Sequence, residues 1–364
     1  MKQLLTPFLL AACLLVSSCA GPQKAPECSV RQDLFNTSMT DSVSCYRIPA
    51  IVTAVNGDLV VAIDERRASC ADVYPNKDIN IVVRRSSDNG KTWSAIETAV
   101  DFPYGEAGSD PSMIVDESTG AIFLFYNYMD NNTDARIYNL HYVKSMDNGK
   151  TWSEPVDITS QIAKPEWEHD FKFITSGRGI YTTDGKLVHT LVNLHHGLHL
   201  FASDDHGATW YLIDTPITPA DESKVVELSD GRWMINSRVN DKKGTRYVHI
   251  SADQGKTWNT HKELQLPDPG CNGSIVRYTF KEKGKTKTCL LFSNANDATK
   301  RINLTVRISY DDGVTWSDGR VIYEGPSAYS SMTVLKNGDI AVFYEKDEYT
   351  RNEVVVFPRA YVTE

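Results

Sequence analysis

The sequence predicts an all-β protein, a six-bladed β-propeller, on three observations. The pattern Ser-x-Asp-x-Gly-x-Thr-Trp occurs five times, starting at Ser86, Ser145, Ser203, Ser251 and Ser309 and ending at Trp93, Trp152, Trp210, Trp258 and Trp316. Its spacing of 48 to 59 residues marks a repeat architecture. Six turn dipeptides, Asn56-Gly57, Thr119-Gly120, Asp184-Gly185, Asp230-Gly231, Lys283-Gly284 and Asn337-Gly338, each separate two strand-like runs. No helical period of useful length occurs. Six hairpins and five boxes give six four-stranded units, the last without its box, and six radial sheets make a propeller.

Each element has a chemical reason. In the box, Asp bonds back to nearby amides, Gly takes a dihedral closed to other residues, and Trp packs the turn. The boxes are therefore read as structural fasteners and not as five ligand sites. In the hairpins, AIVTAV before Asn56 and DLVVAI after Gly57 are runs of strand-forming residues. Inner-strand residues nine or ten positions before a hairpin glycine (Arg47, Asp110, Glu222, Tyr329) lie at its open end. So do residues seven or nine positions after one (Arg66, Arg238, Glu345), and Arg301 follows Gly284 by seventeen. All eight are expected on one rim of the central axis, with the box turns at the other end.

Composition limits the function. With 364 residues, 41% hydrophobic and 23% charged, the chain has ample material for a core. Its formal charge of −9 argues against a nucleic-acid partner. Lys2 and the short apolar run Phe8–Val16, followed by Val16-Ser17-Ser18-Cys19, have the form of a lipoprotein-type signal peptide over residues 1–18. Cys19 is the expected lipidation site, although an ordinary secretory leader would also fit. Residues 19–39 read as an N-terminal tether and 40–364 as the propeller. The expected location is a bacterial outer-membrane or cell-surface lipoprotein, otherwise periplasmic or secreted, touching the membrane only through the anchor. Cys45–Cys70 and Cys271–Cys289 are both open as disulfides, and spacing does not choose between them. No zinc motif is present, His195, His196 and His199 lack ligand spacing, and no metal or organic cofactor is called for.

Three arginines gathered on one rim of an acidic protein repel one another, so an anion is expected among them. Planar forks converging from several directions suit a carboxylate or phosphate.

At Cys45-Tyr46-Arg47-Ile48-Pro49 the chain resembles the exo-α-sialidases (neuraminidases), particularly the bacterial glycoside hydrolases with several Asp boxes. The resemblance runs from about Ser44 to Tyr361 and takes in DERRASCAD, SDPS, ADESKVVELSDGRWMINSR, KRINLTVRISYDDG, PSAYSS and FYE, in family order. It implies that Arg47, Arg238 and Arg301 grip a sialic acid carboxylate and that Glu345 holds Arg47. It further implies Tyr329 as nucleophile, Glu222 as its base and Asp72 as acid/base, with Asp78 as a nearby rival for that last role. Arg66 and Asp110 match positions lining the pocket against the sugar's 4-hydroxyl and acyl-amino side. Arg178 in SGRGI is expected near the same rim, without a role. The implied activity is retaining hydrolysis of terminal sialic acids on glycoproteins, oligosaccharides and glycolipids. Transfer to an acceptor, intramolecular attack giving an anhydro sugar, and a surface propeller that binds sialic acid without turnover are the alternatives.

Overall fold

The computed structural model describes residues 27–241 and 243–363. The expected signal peptide and Cys19 lie outside the described residues.

Six antiparallel blades follow one another around an axis. The first comprises Cys45–Thr53, Leu59–Arg66, Asp78–Ser86 and Glu97–Val100. The second comprises Glu106–Val115, Ile122–Asp130, Asn139–Ser145 and Val156–Asp157. In the third, an interrupted inner strand, Lys172–Ile174 and Ile180–Tyr181, pairs with Leu187–Asn193, followed by Gly197–Ser203 and Tyr211–Ile217. The fourth is Ser223–Glu227, Trp233–Ser237, Thr245–Ser251 and Asn259–Pro267. The fifth is Ser274–Glu282, Lys285–Ala295, Ile302–Ser309 and the first part of the long strand Arg320–Val334. The end of that strand opens the sixth blade, with Ile340–Lys346 and Arg351–Phe357.

The outermost strand of the sixth blade comes from the other end of the chain. Val30–Asn36 pairs antiparallel with Arg351–Phe357, from Val30↔Val356 to Asn36↔Arg351. Strand pairing thus starts before residue 40, and residues 30–36 of the expected tether belong to the sheet. The reason is apolar: Leu34 and Phe35 are fully buried between blades six and one. This closure also explains the missing sixth box. A box joins the third and fourth strands of a blade, and in blade six those strands are not consecutive in sequence. The C-terminal turn instead lays Val362 into the core between blades five and six.

Blades pack face to face, so both faces of each inner strand are buried. In Leu59–Arg66, every residue is buried. Leu59, Val61 and Ile63 face blade six, whereas Val60 and Ala62 face blade two. Continuous apolar runs arise because alternate side chains serve two different interfaces. Six hydrophobic clusters fill the six blade interfaces, including the one between blades six and one.

The boxes repeat one local network. In the first, Ser86 Oγ donates to Asp88 Oδ1 (2.8 Å) and accepts from Gly90 N (2.9 Å). Thr92 donates to the same carboxylate from N (2.8 Å) and Oγ1 (2.7 Å). Gly90 takes φ +84°, and a Cβ there would stand 3.1 Å from Val356 of blade six. Likewise Gly149 faces Val60 and Gly207 faces Phe123, so each of these boxes leans on the preceding blade. The turns lie beside the inner hairpins, since Leu59 pairs with Ser86.

Candidate active site

The opposite end of the axis holds a cavity of about 570 Å³ lined by residues of all six blades, with Arg301 and Tyr329 on one side and Asp72 and Asp110 on another. Its walls depend on irregularities in the inner strands. Pairing shifts between Arg47 and Ala50, between Ser109 and Ser112, and between Ser327 and Ser330. Ile48 and Asp110 take φ +66° and +63°. Positive φ is unusual for any side chain and more so for a β-branched one, at a cost of about 1–3 kcal/mol. Buried carboxylates hold these kinks. Glu345 Oε1 accepts from Ile48 N (3.0 Å), Glu345 Oε2 from Tyr329 N (3.0 Å) and Asp64 Oδ1 from Asp110 N (3.0 Å). The bulges turn Arg47, Asp110 and Tyr329 toward the axis.

Tyr329 is the centre. Its hydroxyl donates to Glu222 Oε1 (2.8 Å) and accepts from Arg238 Nη1 (2.7 Å). Three guanidiniums lie about its ring, with Arg301 at 5.5 Å, Arg238 at 5.8 Å and Arg47 at 5.9 Å from the centroid. Arg47 is fixed by Glu345 (2.7 Å) and stacks on Tyr349 (3.8 Å). Arg238 is fixed by Asp221 (3.3 Å) and lies 3.0 Å from Glu222 Oε2. Arg301 donates to Tyr349 Oη and to Gly270 O, both at 3.2 Å, and forms no ion pair with a described acid. The cluster therefore presents cationic surface into the cavity.

Burial dominates the proton equilibria here. It raises Tyr329 well above the ordinary phenol value, against the pull of Arg238. Burial likewise raises Glu222, with Arg238 opposing. Asp110 is pushed up to about 8 by burial and by the neighbouring carboxyls of Asp64 and Glu222. Tyr329 is thus a neutral phenol hydrogen-bonded to a poised carboxylate.

Asp72 sits on a loop that a Cys45–Cys70 disulfide ties to the first blade, with Cα atoms 5.7 Å apart. Its side chain is 83% exposed toward the cavity mouth, yet its carboxylate is held by Arg66 Nη1 (2.9 Å). Asp78 does not line the cavity and faces Arg67 (3.8 Å). Cys271 and Cys289 are unbridged; Cys271 packs beneath Tyr329 and Cys289 lies in the core between blades five and six.

Two sequence expectations change. Arg66 is fully buried behind the cavity wall, where Asp64 (2.9 Å), Asp72 and the carbonyls of Cys70 and Ala71 take up its donors. Its Nε, both Nη1 hydrogens and one Nη2 hydrogen are held by these groups, so the protein fixes its orientation and it in turn positions Asp72. Arg178 is not on this rim: it opens into a different cavity at the box end. The strand that carries it reverses the expected placement by leaving its own blade. The other residues, Arg47, Arg238, Arg301, Tyr329, Glu222, Glu345, Asp72 and Asp110, converge on the cavity or directly behind it.

Sequence reading missed several participants. Asp64 binds Arg66 and Ser109 Oγ (2.7 Å), and its i, i+2 spacing from Arg66 in a strand was an available signal. Asp221, adjacent to Glu222, holds Arg238 (3.3 Å) and accepts from Asn240 Nδ2. Tyr349 comes from a loop in which residues 347–349 all have positive φ, and nothing local marks it. Tyr138, Phe171, Phe173 and Leu194 form an apolar wall near Asp72 that only packing assembles.

The chain is similar to known proteins along most of its length. A BNR repeat-like domain matches residues 71–342. A sialidase of Micromonospora viridifaciens is 33% identical over 93% of this chain and 57% of its own length. A sialidase of Bacteroides fragilis is 32% identical over 84% of this chain and 60% of its own. The chain thus spans less than two thirds of either relative. Among solved structures, the Hadza microbial sialidase Hz136 superimposes with a TM-score of 0.78 at 30% identity, covering 89% of this chain and 67% of that one. With the repeat domain over most of its length and relatives of this kind along nearly all of it, the chain belongs to the bacterial exo-sialidase family of BNR-repeat propellers.

Proposed function

We propose that the protein is a retaining exo-α-sialidase that removes terminal sialic acids from glycans. The observation that carries the reading is the Tyr329 hydroxyl, held between Glu222 Oε1 at 2.8 Å and Arg238 Nη1 at 2.7 Å beneath three guanidiniums. A sialoside bears a carboxylate on its anomeric carbon. An anionic nucleophile would meet repulsion there, whereas a neutral phenol that loses its proton during attack does not. The tyrosine nucleophile of sialidases is a recognised exception to the two-carboxylate scheme of glycosidases.

Arg47, Arg238 and Arg301 take the substrate carboxylate, an anion whose planar form suits converging guanidiniums. Glu222 accepts the phenolic proton as Tyr329 Oη bonds to the anomeric carbon. Asp72, positioned by Arg66 and exposed at the mouth, protonates the departing glycosidic oxygen. It then deprotonates the water that breaks the tyrosyl–sugar bond, and the second displacement restores the starting configuration. Asp110 lines the pocket against the sugar.

The test is to follow sialyllactose by proton NMR from the first turnover. The α-anomer of the free sugar should appear first and mutarotate later. Initial release of the β-anomer would sink retention, and an anhydro sugar would identify intramolecular attack. We also propose export with anchoring through Cys19. A disulfide beside the cavity supports an oxidising compartment, and membrane fractionation of wild type against Cys19→Ala checks the anchor.

A further inference from the structure

We propose that the box end of the central channel is a second binding site, taking a small oxyanion on Arg178. The inner strand of blade three breaks after Ile174, and Gly177–Arg178 pairs parallel with Ser112–Met113 of blade two before the chain returns at Ile180. Two glycines permit the excursion. Gly177 has φ +102° with Lys224 Cε 3.1 Å from where a Cβ would stand, and a Cβ on Gly179 would meet Val188 O at 2.6 Å. The segment reaches across the channel, so the cavity beyond it, about 500 Å³, shares no wall residue with the Tyr329 cavity.

Arg178 opens into that second cavity. Its Nη1 donates to Met332 O (3.1 Å), its Nε makes only a long 3.5 Å contact with Gly179 O, and no described acid forms an ion pair with it. The other charged groups on the cavity wall are Arg277, Glu227 and Glu117. Glu227 is committed to Thr183 N (2.9 Å) and Oγ1 (2.7 Å) and lies 3.6 Å from Arg277. Glu117 is exposed to solvent. Desolvation brings Arg178 down to about 10, which leaves it a cation at neutral pH. A half-buried guanidinium, with its donor fork open to a roomy cavity, is matched by an oxyanion that can accept two parallel hydrogen bonds. Free phosphate and small carboxylates share that chemistry.

Isothermal titration of the full-length protein with inorganic phosphate, and separately with acetate, tests this. Anion binding at the Arg47–Arg238–Arg301 cluster is common to wild type and Arg178→Gln and cancels in their comparison. Wild type should show one saturable site that Arg178→Gln lacks or binds at least about tenfold more weakly. Phosphate alone, or acetate alone, identifies the source. Identical isotherms for the two proteins would overturn the proposal, as would absence of any saturable site in wild type. If Arg178→Gln does not fold, Thr279→Glu, an exposed change on the same cavity wall, should weaken binding by repulsion. Unchanged affinity in that variant would overturn the proposal as well.

Discussion

The two ends of the propeller use carboxylates in opposite ways. At the box end, Asp88, Asp147, Asp205 and Asp253 accept hydrogen bonds from neighbours two to four residues away, which lower each to about 2. At the site end, Asp64 and Asp110 are pushed up to about 6 and about 8 by burial, and Glu222 is raised in the same way. The fasteners are satisfied by the residues beside them and stay close to water. The site holds its acids away from water, among groups brought from other blades. Stability and chemistry are thus kept apart on one scaffold, and experiments can separate them.

The largest expected effect is at the centre of the site. Tyr329→Phe loses one hydroxyl and should keep the fold, but turnover should fall by at least about a thousandfold. A fluorinated mechanism-based sialoside should label wild type at Tyr329 and fail to label the variant; labelling elsewhere in wild type would require another nucleophile.

Asp72→Ala should depend on the leaving group. Sialyllactose hydrolysis should drop about a hundred- to ten-thousand-fold, because its alkoxide needs a proton. An aryl sialoside with an acidic phenol should lose little in its first step and show a burst before slow turnover. Equal losses in stopped-flow measurements would leave Asp72 as wall rather than acid, and a selective loss in Asp78→Ala would move the role there.

Arg301→Ala removes the guanidinium that has no acid partner. It should reduce kcat/KM by about 10- to 150-fold through loss of a charge-assisted contact. Near-normal kinetics would remove Arg301 from the carboxylate grip.

Acid should separate the two ends. Glu222 must be ionised to take the phenolic proton, and its raised pKa places the acid limb of kcat/KM above the ordinary glutamate value of 4.5. Raised carboxyls such as Asp110 bind protons more readily in the folded state, so acidification from pH 8 toward 4 does not cost stability through them. The box acids are depressed in the folded state. Their contribution is full above the unfolded value of 3.8 and is lost as pH falls toward about 2. Activity should therefore vanish while circular dichroism still reports a folded protein; a common midpoint would break the distinction.

The smallest effect belongs to a single fastener. Asp147→Ala removes acceptors for Ser145, Lys150 and Thr151 and should cost about 1–2 kcal/mol, read as a lower Tm with an unchanged KM. A stable variant with an altered KM would couple the box end to the site.

Much of this molecule is legible in one dimension because its regularity is local. A box closes between Ser86 and Trp93, and a hairpin turns at Gly57, so each is recognisable from a short stretch of neighbouring residues. Counting them yields six blades and the end at which the tyrosine lies. The rim arginines follow from strand arithmetic, and the family resemblance supplies their roles. Arg178 escaped that arithmetic because Gly177 and Gly179 let its strand leave the blade. Tertiary structure alone decided that Val30–Asn36 closes the ring, that Arg66 lies behind the wall and that Tyr349 supports Arg47 and Arg301. It also chose Cys45–Cys70 over the other pair. These are contacts between residues far apart in sequence, and desolvation, which sets the protonation of Glu222, Asp110 and Tyr329, exists only once the blades have closed around them.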